Sequence, residues 1–319
     1  MDNTSTAPGS FQVSILLCDG FALMSYASFV EPLRAANLLA GTEVCRIRHL
    51  SETGAPVQSS GAARVPVDAG IGGQLRADLL VVVAGGDPFS FVSARTFGWL
   101  RRLAATGMTL GGVSGGPVVL AQAGVMKDRR MTVHWEHAAA LAEAVPGLLL
   151  ERSLYVIDRD RVTCGGGTAP MDMMHDLIVG RFGAGFARSV SDWFLHTDVR
   201  PSAGPQRAGL VERVGTTSRP VLDAVALMES HLADPLSLDQ LAALAGVSGR
   251  QLSRLFRQHL GVTVMARYRH LRLEKARQLL RQSALSMTEI ALATGFAGSS
   301  HFSSAFHEAY GEPPGRLRR

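Results

Sequence analysis

Apolar and polar positions follow two different rhythms along this 319-residue chain. In the front part, short apolar runs end in glycine and lead into helical spacing. FQVSILLCDG (11–20) reads as a buried strand closed by an Asp-Gly turn, and ADLLVVVAGG (77–86) as another ending in Gly-Gly. YASFVEPLRAANLLAG (26–41) and TFGWLRRLAATG (96–107) place apolar residues at helical intervals and stop at glycine. TLGGVSGG then predicts a strand that turns sharply at Ser114 into a helix from about Pro117 to Ala123. Strands and helices alternating at these lengths predict an α/β doubly wound, parallel, flavodoxin-like sheet. Ligands meet such sheets at the carboxyl ends of strands, where Gly85, Gly86 and Ser114 fall.

Behind the Pro- and Gly-rich stretch 198–220 the pattern becomes wholly helical. SLDQLAALAGVSGRQLSRLFRQHLG (237–261) reads as a helix, a turn at Gly246 to Ser248, and a second helix. Its expected core is Leu238, Leu241, Leu244, Val247, Leu252, Leu255 and Phe256. SMTEIALATGFAGSSHFSSAFHEAYG (286–311) repeats the plan, with Ile290, Ala291, Phe296, Phe302 and Phe306 inside. One long amphipathic helix, 264–280, joins the two.

Charge sharpens this division. Residues 1–211 carry 18 basic and 18 acidic side chains, whereas 212–319 carry 14 and 9, so the back holds the whole formal charge of +5. A neutral front with a basic back points to a polyanion as the partner of the back. Three scattered cysteines exclude a disulfide framework or structural zinc site and imply a reduced, cytoplasmic chain. The longest apolar run, Leu79 to Ala84, is too short for a membrane span, and the polar first ten residues read as a disordered tail.

Gly112-Val113-Ser114-Gly115-Gly116 is the G-x-S-x-G of a nucleophile elbow. A hydrolase triad needs an acid and then a histidine well after the serine, and His134 follows too soon. HWEH (134–137) marks a strand or loop leading into a helix at 136–144, so its two imidazoles share no face for a metal. No catalytic residue, metal or cofactor is expected.

Residues 219–319 resemble the AraC/XylS family DNA-binding domain, the likeness resting on the doubled helix-turn-helix and on GFAGSSHFSSAFHEAYGEPPGRLRR (295–319). The resemblance implies that each second helix enters a major groove of double-stranded DNA. Ser248, Arg250, Gln251, Arg254 and Arg257 are then the DNA-facing positions of the first unit, with Arg250, Gln251 and Arg254 on base edges and Arg257 on phosphate. Ser299, Ser300, His301, Ser303 and Ser304 are those of the second.

Residues 11–195 resemble the PfpI-like branch of the class I glutamine amidotransferases, through VSILLCDGFALMSYASFVEPLRAAN, GGVSGGPVVLAQAG, MTVHW and VTCGGGTAPMDMMHDLI. The enzymes of that superfamily have cysteine at the elbow and an acid on the first helix. Here those positions are Ser114 and Ser25, with only the histidine kept, as His134. A serine lacks the low-pKa thiolate of such sites, so a binding pocket is expected in place of catalysis. Its proposed lining is Tyr26, Gly85, Gly86, Phe89, Ser114, Gly115, Gly116, His134 and Trp135, with the Gly115 and Gly116 N–H groups on a carboxylate and aromatic rings on an alkylated ammonium.

The likeness extends to regulators of glycine betaine, carnitine and sarcosine catabolism. It implies an activator that senses a small zwitterionic amine such as glycine betaine, dimethylglycine, sarcosine or carnitine, forms a homodimer and works with RNA polymerase. Arginine as inducer, or an enzyme fused to a DNA-binding domain, are the alternatives. The expected boundaries are a tail at 1–10, an amidotransferase-like sensing and dimerisation domain at 11–197, a linker at 198–218 and the all-α DNA-binding domain at 219–319.

Overall fold

A computed structural model of the protein describes residues 9–73, 75–282 and 285–318, so most of the expected tail lies outside the described residues. The chain divides into two compact units, Met1–Gln206 and Arg207–Arg319.

The first unit runs β1 (Phe11–Leu17), α1 (Leu23–Ala40), β2 (Cys45–Ser51), β3 (Val57–Gln58), β4 (Arg64–Val65), β5 (Ala69–Gly70) and β6 (Leu79–Ala84). It continues with α2 (Ala94–Ala105), β7 (Thr109–Ser114), α3 (Gly116–Gln122), β8 (Arg130–Thr132), α4 (Ala138–Ala144) and β9 (Leu149–Glu151). It closes with β10 (Tyr155–Asp158), β11 (Arg161–Cys164), α5 (Ala169–Phe182) and α6 (Ala184–Trp193). Seven strands form the main sheet in the order β10-β11-β7-β6-β1-β2-β5. Ile15, Val81 and Val113 pack on one face with Phe29 and Leu33 of α1 and Met173 of α5; Leu16, Leu80 and Val82 pack on the other with Leu100 of α2 and Val118 of α3. Continuous apolar strands such as LLVVVA are what a sheet covered on both faces requires.

The sheet corrects the all-parallel expectation at one edge, where β10 and β11 pair antiparallel. Only Arg159 and Asp160 separate the two strands, with Arg159 at φ 56°, and so tight a turn returns the chain alongside itself. A separate parallel pair, β8 with β9, also went unpredicted, because three-residue strands carry too few positions to show a period.

The second unit holds α7 (Leu210–Val214), α8 (Arg219–Ser230), α9 (Leu238–Leu244), α10 (Gly249–Leu260), α11 (Val264–Gln282), α12 (Met287–Ala293) and α13 (Ser299–Tyr310). Serine hydroxyls open three of these helices: Ser237 and Ser286 form capping boxes with Gln240 and Glu289, and Ser248 accepts from the Gln251 N–H. Two separate apolar cores lie along α11. One gathers Val225, Leu241, Leu252, Phe256 and Tyr268; the other gathers Leu280, Ile290, Phe296, Phe302 and Phe306. The expected first core needs one correction, since Leu244 is 62% exposed at the last turn of α9. Arg272 of α11 donates from Nε to Thr294 O at 2.7 Å and from Nη2 to Gly295 O, at the end of α12. Its guanidinium also lies 4.2 Å from the centre of the Phe296 ring. Gly295 sits at φ 71°, and a Cβ there would fall 2.5 Å from Pro235 Cγ and 2.6 Å from Leu232 O.

Candidate functional site

The positions expected to face DNA fall on two helices, α10 and α13, with Ser248 at the N-cap of α10. Leu252 and Phe256 anchor α10 in its core, which turns Arg250, Gln251, Arg254 and Arg257 outward, and all four are exposed. The side chains of Arg250, Arg254 and Arg257 make no hydrogen bond or ion pair among the described residues. Three unpaired guanidinium groups along about two turns of helix form a donor array suited to phosphates and base edges. Ser248 is exposed, but its hydroxyl already caps α10. On α13, Phe302, Ala305 and Phe306 are buried, Ser300, His301 and Ser304 are exposed, and Ser299 and Ser303 are half-buried. His301 meets the edge of Phe296 at 5.5 Å between ring centres.

In the first unit, β7 ends at Ser114, whose φ of 60° makes it one of four non-glycine residues in the left-handed region among the described residues. Gly116 must follow, because a Cβ there would fall 2.0 Å from Val82 O on the neighbouring strand. The elbow is therefore built, and backbone strain of this kind is held where a site depends on it. Its surroundings are not those of a hydrolase. Ser25 donates nothing acidic to the site; its hydroxyl accepts from the Gly167 N–H at 2.8 Å. The His134 ring neighbours Trp135 at 5.2 Å and His137 at 5.8 Å, and no histidine hydrogen-bonds Ser114 among the described residues. Burial lowers the pKa of His134, partly offset by Glu136.

The structure brings only part of the proposed lining together. Phe89, His137, His134 and Trp135 form a string of neighbouring rings, with Phe89 and His137 6.2 Å apart. Trp135 is 43% exposed. Tyr26 stands apart from this string: it packs on Phe21 and hydrogen-bonds His49 Nε2 at 2.9 Å, with the core beneath α1. The reason is its place on α1, which covers the opposite sheet face from Phe89 and α3. Gly115 is a second correction, since its N–H donates to Ala84 O at 3.1 Å as the sheet ladder runs on past Ser114. Gly85 is pressed against the turn at Gly20 to Ala22, while Gly86, at φ 59°, faces open space.

Sequence reasoning missed Gln206, which ends the first unit. Its Nε2 donates to Ser153 O at 2.6 Å and to Thr132 Oγ1 and Val133 O at 3.0 Å, while its Oε1 accepts from the Trp135 N–H at 2.7 Å. Upstream, Arg200 and His196 both pair with Asp172, which is fully buried in α5. Residues 198–206 of the expected linker stretch thus fasten to the first unit, and α7 lies in the second. A polar residue in a Pro- and Gly-rich stretch gives no periodic signal that could have exposed this role.

Comparison with known proteins accounts for both halves. A helix-turn-helix domain family matches residues 241–319, and the DJ-1/PfpI family matches residues 11–179. The HTH-type transcriptional regulator GlxA of Rhizobium meliloti is 46% identical over 310 residues, covering 97% of this chain and 95% of its own. The chain belongs to the AraC/XylS-type regulators fused to a DJ-1/PfpI-like domain. The HTH-type transcriptional regulator CdhR of Pseudomonas aeruginosa is 41% identical to this regulator over 303 residues, covering 95% and 90% of the two chains. The crystal structure of an AraC family transcriptional regulator from Pseudomonas putida matches with a TM-score of 0.52 at 27% identity, over 58% of this chain and 99% of that one. The regulator is a DNA-binding protein of this family, and its full-length relatives GlxA and CdhR are transcriptional regulators. Among the described residues, no helix is long and apolar enough to cross a membrane, and no three metal-binding side chains cluster.

Proposed function

We propose that the regulator senses a small zwitterionic amine in residues 11–197 and, as a cytoplasmic homodimer, activates transcription with RNA polymerase through residues 219–319. The carrying observation is the elbow: Ser114 is held at φ 60° although no histidine hydrogen-bonds it among the described residues, which supports a turn kept for binding. Ser114, Gly116, Gly86, Phe89, His134 and Trp135 are the residues assigned to the ligand, which is quaternary or N-methylated if rings enclose its cation. Tyr26, Gly85 and Gly115 act only by shaping the surroundings. Gln206 supports a route outward, because its amide ties the His134–Trp135 segment to the residue that leads into the second unit. A ligand that moves this segment shifts a population only by binding the two states unequally.

Arg250, Gln251 and Arg254 are assigned to base edges, Arg257 and Ser248 to phosphate, and Ser299, Ser300, His301, Ser303 and Ser304 to the second groove. The test is calorimetric titration of the full chain with glycine betaine, dimethylglycine, sarcosine, carnitine and arginine. Saturable binding that Trp135→Ala abolishes supports a sensor and names its ligand class. Binding by none of them leaves the first unit as a dimerisation module.

A further inference from the structure

A cleft of about 430 Å³ opens at the carboxyl ends of β1, β2 and β6; Ala84, the sheet partner of Ser114, borders it, but Ser114 is not among its lining residues. The chain leaves β1 for β2 on one side and returns as β6 on the other, so the cleft occupies the switch point of the sheet, the favoured ligand position in open α/β folds. Its size is that of a small-molecule site. Pro56, Val57, Pro88 and Phe91 give it apolar walls, and Asp19, Glu52 and Asp87 give it three carboxylates.

Each carboxylate is held in place by a hydrogen bond and by no cation. Asp19 accepts from the Gln58 N–H at 3.3 Å, Glu52 from the Ser93 hydroxyl at 2.7 Å, and Asp87 from the Phe89 N–H at 3.1 Å. None forms an ion pair among the described residues. The start of α2, capped by Ser93, offsets roughly half a charge, so most of the negative charge stays uncompensated. The thiol of Cys18, 4% exposed and without a hydrogen-bond partner among the described residues, borders the same cavity close to Glu52. The acids do not gather into a metal site. A spread of carboxylates and Ser/Thr hydroxyls around a small cavity calls for an extended cation with several N–H donors.

We infer that this cleft binds a small organic cation bearing primary ammonium or guanidinium groups, at a site separate from the elbow. Quaternary ammonium compounds lack the N–H donors that three carboxylates would take, and Phe91 is the one aromatic ring among the cleft's lining residues. The inference does not rest on the amine-sensing reading: of the residues assigned there only Gly85 also lines the cleft, and the two sites are told apart by direct binding to variants.

The experiment is calorimetric titration of the full chain with agmatine, putrescine, arginine and glycine betaine, at low and moderate salt. At least one of the first three should bind saturably, more weakly as salt rises. Glu52→Gln, which keeps an oxygen for Ser93, should weaken that binding at least tenfold, and so should the pair Asp19→Asn with Asp87→Asn. Glu43→Gln, an exposed carboxylate outside the cleft, should leave it within twofold. Circular dichroism on each variant separates lost binding from lost folding, and the Asp pair, being exposed, provides the reading if Glu52→Gln unfolds. No saturable binding by any of the three, or binding unaffected by both sets of variants, would each overturn the inference.

Discussion

Arg272 holds the second helix-turn-helix unit to α11, and Arg272→Met tests how firmly. Methionine keeps most of the stem but removes two charge-assisted hydrogen bonds to the carbonyls of Thr294 and Gly295 and the stack on Phe296. Hydrogen bonds from a charged donor contribute roughly 1.5–3 kcal/mol each, and a cation–π contact about 0.5–2 kcal/mol. Against these stands the cost of half-burying a guanidinium, visible as a pKa pushed below its ordinary value by desolvation. The net loss should be about 2 kcal/mol, a change of roughly thirtyfold in an equilibrium. Because α12 and α13 close their own core, the loss should appear there. Amide hydrogen exchange is the assay: α12 and α13 should open about thirtyfold more often, with α9 and α10 unchanged. Arg272→Lys should fall between, since lysine keeps the charge but not the fork. Unchanged exchange in α12 and α13, with a salt slope of DNA binding reduced by about one, would refute the reasoning and make Arg272 a phosphate contact.

Gly295→Ala should destabilise the same unit by at least ~2 kcal/mol, through a positive φ and contacts under 3 Å with Pro235 and Leu232, measured as a lower denaturant midpoint. Arg250→Ala should relax base preference at one operator position, whereas Arg257→Ala should weaken binding on all sequences alike and flatten its salt dependence; equal losses everywhere from Arg250→Ala would reverse the assignment. Burial lowers the pKa of His49, with Asp68 offsetting part of the effect. The folded state therefore favours neutral His49, so its contribution is complete above the ordinary value of about 6.5 and declines as pH falls below it. Denaturant midpoints between pH 7.5 and 5.5 should drop less steeply in His49→Gln.

Elements with long, regular patterns were legible from the chain alone. The LLVVVA strand, the Ser114 turn and the doubled helical hairpins lie where the apolar spacing put them, and Ile290, Phe296, Phe302 and Phe306 are buried as expected. What escaped depends on contacts distant in sequence. An aromatic residue early on α1 reads as a neighbour of the elbow, but Tyr26 packs on Phe21 and hydrogen-bonds His49. The Gly115 N–H was counted as free because a pattern of residues does not reveal that the ladder with Ala84 extends one step further. Gln206 and Arg272 act through single side chains that reach across the fold, and neither leaves a periodic trace.

The two cores strung along α11 bear on how such a reader of DNA changes over generations. A replacement inside the first core touches none of the side chains that close the second, so the costs of changes in the two should add. On the proposed assignment of α10 and α13 to two grooves, one half of an operator could then be re-lettered while the other still anchors the protein in register. The arginine-rich α10 is suited to that anchoring, which leaves the serine-rich α13 free to drift.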